Sequence, residues 1–395
     1  MRVLMIAPTS FFSDYGGHIR ILEEMRVLQA RGVTVAVVTY YKGKDVSGLD
    51  IRRTAPLPWR TDYEVGSSRH KIAFDLYLAA KSLVEARRFR PNIIHGHMHE
   101  GALIGGLLAR LWRVPLVFDY QGSLTAEMVD HRFLDSNGRL FSLVHRLETF
   151  ITRRLPDAVL TSSGLAAGLL QDEFHVPTKR VHTLADCADP IHFDPARFPW
   201  LPGDHPLRLQ LGISPDTTIV GYLGLLTDYQ GLPQLIETAA ILKAQGERVH
   251  FLVMGYPNVD KYEGQARRRG LEDVMSFTGR VPFDRAPYFL AACDVAVAPK
   301  VSTSEGSGKL LNYMAMALPT VAYDTTVNHE YLGEEGIYVP LGDVPAFASA
   351  VARLAHDPER RALVGERLRR RAIDEFNWSV AGDAILALYQ RLTNP

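Results

Sequence analysis

The stretch NIIHGHMHEGALIGGLLARLWRVPLVFDY, from Asn92 to Tyr120, carries the pattern that decides the fold. It opens on a short aliphatic run, NIIHGH, of the kind that forms a strand buried on both faces of a parallel sheet. Helical spacing follows over Ala102–Trp112, and a second aliphatic run, PLVFDY, closes the stretch. Strand, helix and strand in about thirty residues make a βαβ unit. The apolar middle does not read as a membrane span, because Arg110 and Arg113 interrupt it.

The alternation repeats outward in both directions. RVLMIAP, VTVAVVTY and AVLTSS read as further strands, with helices over Ile19–Arg31 and Ile72–Arg88 between them. It breaks at Asp189–Arg208, DPIHFDPARFPWLPGDHPLR, which is proline-rich, lacks periodicity and reads as a linker. A second series then runs TTIVGYLG, VHFLVMGY, VMSFTGRV, VAVAPKV, PTVAYDT and GIYVPLG, and helices close the chain from Val344. The expected fold class is α/β: two domains, each a parallel sheet flanked by helices, facing across a cleft. Ligands of such sheets sit at the carboxyl ends of the strands.

The chain has 395 residues, enough for two cores. Lys+Arg and Asp+Glu are equal at 44 each, so bulk charge gives no reason to expect a nucleic-acid partner. Cys187 and Cys293 are too few for a disulfide framework and fit a reducing compartment. The opening MRVLMIAP has no small-residue cleavage site and runs into a glycine loop, so it reads as a first strand. The expected location is cytoplasmic, with the inner membrane face as a further option.

Three stretches point to chemistry. SEGSGKLLNYMAMALP, Ser304–Pro319, places small residues and Lys309 ahead of an apolar helix. Backbone N–H groups at such a helix start suit an anion, and the plainer reading is a flexible loop. It is not a Walker A loop, since Thr303 and Leu310 stand where glycine and Ser/Thr belong. TSFFSDYGGHIR places Gly16 and Gly17 before a helix without completing G-x-G-x-x-G, so an anion loop and a plain tight turn both fit. In HGHMHEG, His95, His97 and His99 would share one face of an extended segment. No spacing supports zinc, and no metal is expected. A histidine at a strand end suits a polar substrate, whereas His95, deeper in the strand, reads as packing. Glu100 and Asp119 are candidate carboxylates nearby.

Taken in order, these segments resemble a known family. The set runs from the glycine loop and H-x-H through GYLG…QG, FTGRV and NYMAMALPTVA to NHEYL…GIYVPLGD and the tail LAHDPERRALVGERLRRRAIDEFNWSVAGDAILALY. The chain resembles, over nearly its whole length, the retaining nucleotide-sugar glycosyltransferases of family 4 (glycosyl transferases group 1). The resemblance implies two Rossmann-like domains: an acceptor-side domain over 1–190, a linker over 191–208, a nucleotide-sugar domain over 209–376, and a C-terminal helix within 377–395 crossing back to the first domain. It implies hexosyl transfer from a nucleoside diphosphate to an acceptor hydroxyl in glycan biosynthesis, with retention and without cofactor or metal. Leaving-group charge would be stabilised electrostatically. Gly16 and Gly17 would approach the diphosphate from one domain and Gly306, Ser307, Gly308 and Lys309 from the other. His97 would face the transferred sugar, with His99 as a close rival.

The departures from the family pattern matter. The usual G-R-L and K-G are Gly224-Leu225-Leu226 and Gln230-Gly231 here, so two cations are missing. The two family glutamates become Ser304, or Glu305 after a shift by one, and Asn312, whose amide still suits ribose hydroxyls. The family histidine after the next strand is Gln121. Losing two cations costs several kcal/mol unless they are replaced, since charged hydrogen bonds are worth about 1.5–3 kcal/mol each. Lys309, with Lys300 or Arg280, is the expected replacement. A non-catalytic sugar-nucleotide or glycan-binding relative, or an epimerase or phosphorylase on the same fold, is the alternative.

The acceptor, whether glycan, lipid or small molecule, is not legible. GRLFSLVHRLETFITRRL interleaves Arg139, Arg146, Arg153 and Arg154 with Leu, Phe and Ile. A basic amphipathic helix of this kind suits a peripheral membrane contact. An ordinary packed helix with a solvated face is the preferred reading.

Overall fold

The computed structural model describes residues 1–13, 16–56, 71–130, 134–200, 203–302 and 307–394. The chain divides into two compact units. The first holds Met1–Ser13, Gly17–Ala185 and the C-terminal helix Trp378–Thr393; the second holds Asp186–Asn377.

The first unit carries strands β1 (Arg2–Ala7), β2 (Thr34–Thr39), β3 (Asp50–Arg53), β4 (Ile93–His97), β5 (Leu116–Tyr120), β6 (Ala158–Thr161) and β7 (Val181–Thr183). They form one parallel seven-stranded sheet in the order β3-β2-β1-β4-β5-β6-β7. The five strands expected from aliphatic runs are β1, β2, β4, β5 and β6. The edge strands β3 and β7 escape sequence reading because DIRR and VHT are short, polar and only partly buried. Helices Gly16–Ala30, Lys71–Phe89 and Met98–Trp112 lie where periodicity put them, each somewhat longer. A Cβ at Gly101 would stand 2.5 Å from the Ile6 carbonyl oxygen, so the helix after β4 sits directly against β1.

The second unit carries β8 (Thr218–Leu223), β9 (Val249–Met254), β10 (Met275–Gly279), β11 (Val295–Ala298), β12 (Thr320–Tyr323) and β13 (Ile337–Val339). This six-stranded parallel sheet runs β10-β9-β8-β11-β12-β13, every strand matching an expected run. The proline-rich 191–208 stretch groups with this unit. Arg369 anchors it, donating from Nη1 to the Phe193 carbonyl at 3.0 Å and pairing through Nη2 with Asp194 at 2.7 Å. Each sheet has its own apolar core, built on Leu4, Ile6, Ile94 and Phe118 in one unit and on Val220, Tyr222, Val295 and Val321 in the other.

In both sheets the connections change direction at one place, between β1 and β4 and between β8 and β11. Such reversal points open a crevice at the carboxyl ends of the strands, the usual ligand position in an open α/β sheet.

Candidate functional site

At the first reversal point the chain concentrates buried charge. His97 ends β4 and pairs in register with Asp119 on β5. The imidazole Nδ1–H donates to Asp119 Oδ2 at 3.0 Å, and Gln121 Nε2 donates to the same oxygen at 2.8 Å. The Arg20 Nε lies 3.0 Å from Asp119 Oδ1 and 3.2 Å from Glu24 Oε1. Burial alone would raise the Asp119 pKa, but the Arg20 guanidinium and the His97 hydrogen bond hold it well below the usual carboxylate range. His95 stacks on His97 with ring centroids 4.5 Å apart, and its Nδ1 lies 2.7 Å from the Tyr389 hydroxyl of the C-terminal helix. Burial, and then the neighbouring His97, push its pKa well down, so His95 is a neutral packed histidine. Both rings are fully buried, and His97 Nε2 makes no hydrogen bond.

The three histidines do not share one face. β4 stops at His97, Met98 takes a positive φ of 57°, and His99 falls in the helix Met98–Trp112. The expectation of an extended HGHMH segment is corrected here: the chain turns into its helix as soon as it leaves the sheet. His99 Nε2 instead lies 3.4 Å from Glu148 Oε1. Glu148 in turn accepts the backbone N–H groups of Leu124 and Thr125 at 2.8 and 3.0 Å, capping the helix Leu124–Asp130. Glu100 pairs with Lys71. Glu24, His95 and His97 offer ligand atoms within 4.8 Å of one another, but Arg20 already compensates the Glu24 carboxylate. Gly16 opens its helix with nothing near its Cβ position, and a Cβ on Gly17 would stand 2.8 Å from Gln121 Oε1.

The second reversal point is organised around Lys309, the first residue of the helix Lys309–Ala315. Its Nζ donates to Gln230 Oε1 at 2.8 Å and to the Tyr222 hydroxyl at 3.3 Å, and it lies 4.4 Å from the centroid of the Tyr222 ring. A Cβ on Gly224, just after β8, would be 3.1 Å from Nζ, so the ammonium sits against the turn that follows β8. Tyr313, one turn along the helix, accepts the Leu223 N–H at 2.7 Å and fixes the helix to the strand end. Lys309 has no carboxylate partner among the described residues. Burial, followed by repulsion from Lys300, lowers its pKa to about 7. Ser307 is buried with its Oγ unpartnered, whereas Asn312 is partly exposed. Gly308 lies beside Asp186, a Cβ there falling 3.6 Å from Oδ2. Arg280 is exposed after β10, with its guanidinium 4.9 Å from the Tyr256 ring centroid. Glu305 and Gly306 lie outside the described residues.

Sequence reasoning missed Arg20, Glu24 and Tyr389. Gly17, Arg20 and Glu24 recur at helical spacing on one face, a signal that reads as a solvated edge until that face proves buried. Tyr389 is almost three hundred positions from His95 and carries no local signature.

The family model described as "Glycosyl transferase 4-like domain" matches residues 16–186, and the model described as "Glycosyl transferases group 1" matches residues 217–357. Each falls on one sheet. The chain belongs to the group 1 glycosyltransferases and is a transferase of glycosyl groups. Alpha-D-kanosaminyltransferase of Streptomyces kanamyceticus is 28% identical over 325 residues, covering 78% of this chain and 80% of that protein. Sucrose-phosphate synthase from Thermosynechococcus elongatus shares the fold with a TM-score of 0.82 at 18% identity, over 99% of this chain and 98% of that one. Anabaena HepE, solved in complex with UDP and glucose, has a TM-score of 0.78 at 17% identity, over 99% of this chain and 100% of that one.

Proposed function

We propose that this glycosyltransferase moves a sugar from a nucleoside diphosphate to an acceptor hydroxyl, with retention at the anomeric carbon and without a metal ion. The observation that carries this reading is Lys309: an ammonium without a carboxylate partner among the described residues, held over Tyr222 where β8 ends. It stands beside Gln230, which takes the place of one missing family cation, and beside Gly224, which precedes Leu225 in the place of the other. A half-buried ammonium with no counter-ion among the described residues gains from a ligand that supplies the negative charge. The diphosphate is that ligand in this reading. The HepE complex with UDP and glucose supports a nucleotide donor in this fold.

Lys309 binds the leaving diphosphate and stabilises the charge that develops on it. Ser307 Oγ and the Asn312 amide offer hydrogen bonds to phosphate and ribose oxygens. Gly16 and Gly17 leave the start of their helix open to the ligand, and Arg280 is an outer cation. In the first unit His97, its Nδ1–H held by Asp119 and its Nε2 4.0 Å from Glu24 Oε2, is the residue assigned to the transferred sugar in this reading. Lys309 supplies the positive charge that a metal would otherwise bring to the leaving diphosphate, which is the ground for metal independence.

A thermal-shift panel of UDP, GDP, ADP, TDP and their common sugars, with and without EDTA, tests the donor reading. A ligand of the folded state raises the midpoint by mass action. A shift with one nucleotide, unchanged by EDTA, is the expected result. Anomeric analysis of the product then tests retention. No shift with any nucleotide overturns the donor site.

A further inference from the structure

We infer that the helix Arg139–Arg154 is a docking surface for an anionic lipid bilayer. This helix is built inside out. It buries Glu148, Ile151 and Thr152, whereas Leu140, Leu143, Leu147 and Phe150 stand 58, 64, 46 and 47% exposed. Those four recur at i, i+3, i+7 and i+10, which is one stripe along a helix, about 15 Å long at 1.5 Å per residue. The helix is packed with a solvated face, as expected, but the residues on that solvated face are apolar. The domain contact uses the Glu148 side, because that carboxylate caps a neighbouring helix and meets His99.

Beside the stripe runs a second row, Arg139, Arg146 and Arg153, spaced by seven and turned to the same exposed side. Among the described residues none of these arginines pairs with a carboxylate. The adjoining helix Met98–Trp112 packs its Gly106 against Leu155 and exposes Leu107 and Leu111 at 61 and 65%. Arg110 lies between those two leucines and donates to the Arg154 carbonyl at 3.2 Å. The acids of these two helices are both engaged, Glu148 as a cap and Glu100 with Lys71.

An apolar stripe with a parallel cationic row and no exposed free acid complements a surface of acyl chains edged by phosphates. A second copy of this chain complements it poorly in an antiparallel two-fold pairing, which would bring the arginine rows together. Nucleic acid would meet the arginines but leave four large apolar side chains in contact with phosphate or water. No described helix is long and apolar enough to cross a membrane, so the contact is one that lies on the surface.

The test is flotation of the full chain with phosphatidylcholine vesicles, with and without about one-third phosphatidylserine. It needs no nucleotide, so it stands apart from the donor reading. Binding to the anionic vesicles alone, weakening with salt, is expected. Leu143→Glu with Phe150→Glu should abolish it while the melting midpoint holds, both positions being exposed. Arg139→Gln, Arg146→Gln and Arg153→Gln together should weaken it roughly 100-fold, at about fivefold per arginine. Wild type that floats with neither vesicle overturns the inference. So does a double glutamate variant that floats like wild type. Self-association in sedimentation equilibrium that the same double variant removes assigns the stripe to a second copy and equally overturns it.

Discussion

The ammonium of Lys309 makes donor binding depend on pH in a direction that can be worked out in advance. In the free protein its pKa is lowered to about 7, by burial first and by Lys300 second. Above that value the free protein holds a neutral amine. A diphosphate that binds the ammonium must then carry a proton in with it, and affinity falls about tenfold per pH unit. Between about pH 6.5 and about pH 8.5 the dissociation constant of a nucleotide sugar should rise roughly 25-fold. A nucleotide sugar is the right probe, because a terminal phosphate titrates near pH 6 on its own account. Calorimetry in two buffers of different ionisation enthalpy should show close to one proton taken up at the alkaline end. Lys309→Met should flatten the profile and weaken binding at the acid end by about 1.5–3 kcal/mol, the worth of one charged hydrogen bond. Flat wild-type affinity with no proton uptake would refute the assignment of Lys309 to the diphosphate. Folding gives an independent check. The native state binds fewer protons than the unfolded chain between about pH 7 and the ordinary lysine value, so stability should rise across that window and Lys309→Met should remove the rise.

Other consequences follow from single residues. Asp119→Asn removes one of the two buried carboxylates that Arg20 faces, Glu24 remaining at 3.2 Å, and should cost about 1.5–3 kcal/mol in denaturant unfolding. The folded Asp119 pKa lies below its unfolded value, so its stabilisation is present above about pH 4 and is lost as pH falls through the folded value; acid titration of wild type and variant compares the two. Tyr389→Phe leaves His95 Nδ1 without its partner at 2.7 Å and should cost about 1–3 kcal/mol by calorimetry, with no change in nucleotide affinity. Gly231→Ala combines a φ of 86° with a Cβ position 1.8 Å from the Pro299 carbonyl oxygen, and should be among the most destabilising single changes in the second unit by thermal melting.

The fold was legible because its strands are buried on both faces. A run such as VHFLVM has no solvent side to satisfy, so composition alone marks it. β3 and β7 obey the opposite rule. They lie at an edge, carry charge or a bare three residues, and are held in the sheet by β2 and β6 rather than by their own propensity. His97 was legible for a related reason: a polar residue ending an aliphatic run stands at the carboxyl edge of the sheet. His99 was not, because the register of alternation holds only while the strand lasts, and here the backbone leaves it at Met98.

The charge at the second site illustrates what spacing cannot carry. Leu225 and Gln230 read as losses when each position is weighed separately, because a motif records which residue stands at a place. The ligand responds instead to where the charge is. Lys309 comes from a helix some eighty residues further on, and its Nζ donates to the Gln230 oxygen at 2.8 Å. A lysine at 230 and a lysine at 309 would then compete for one pocket, their ammonium groups repelling as Lys300 already repels Lys309. Gln230 is the neutral acceptor that a lysine arriving from the helix requires. Gln230→Lys should therefore lower donor affinity in the wild-type background and restore part of it in Lys309→Met, a reversal of sign in one double-mutant cycle. Additive losses in that cycle would mean that the two positions serve the donor separately.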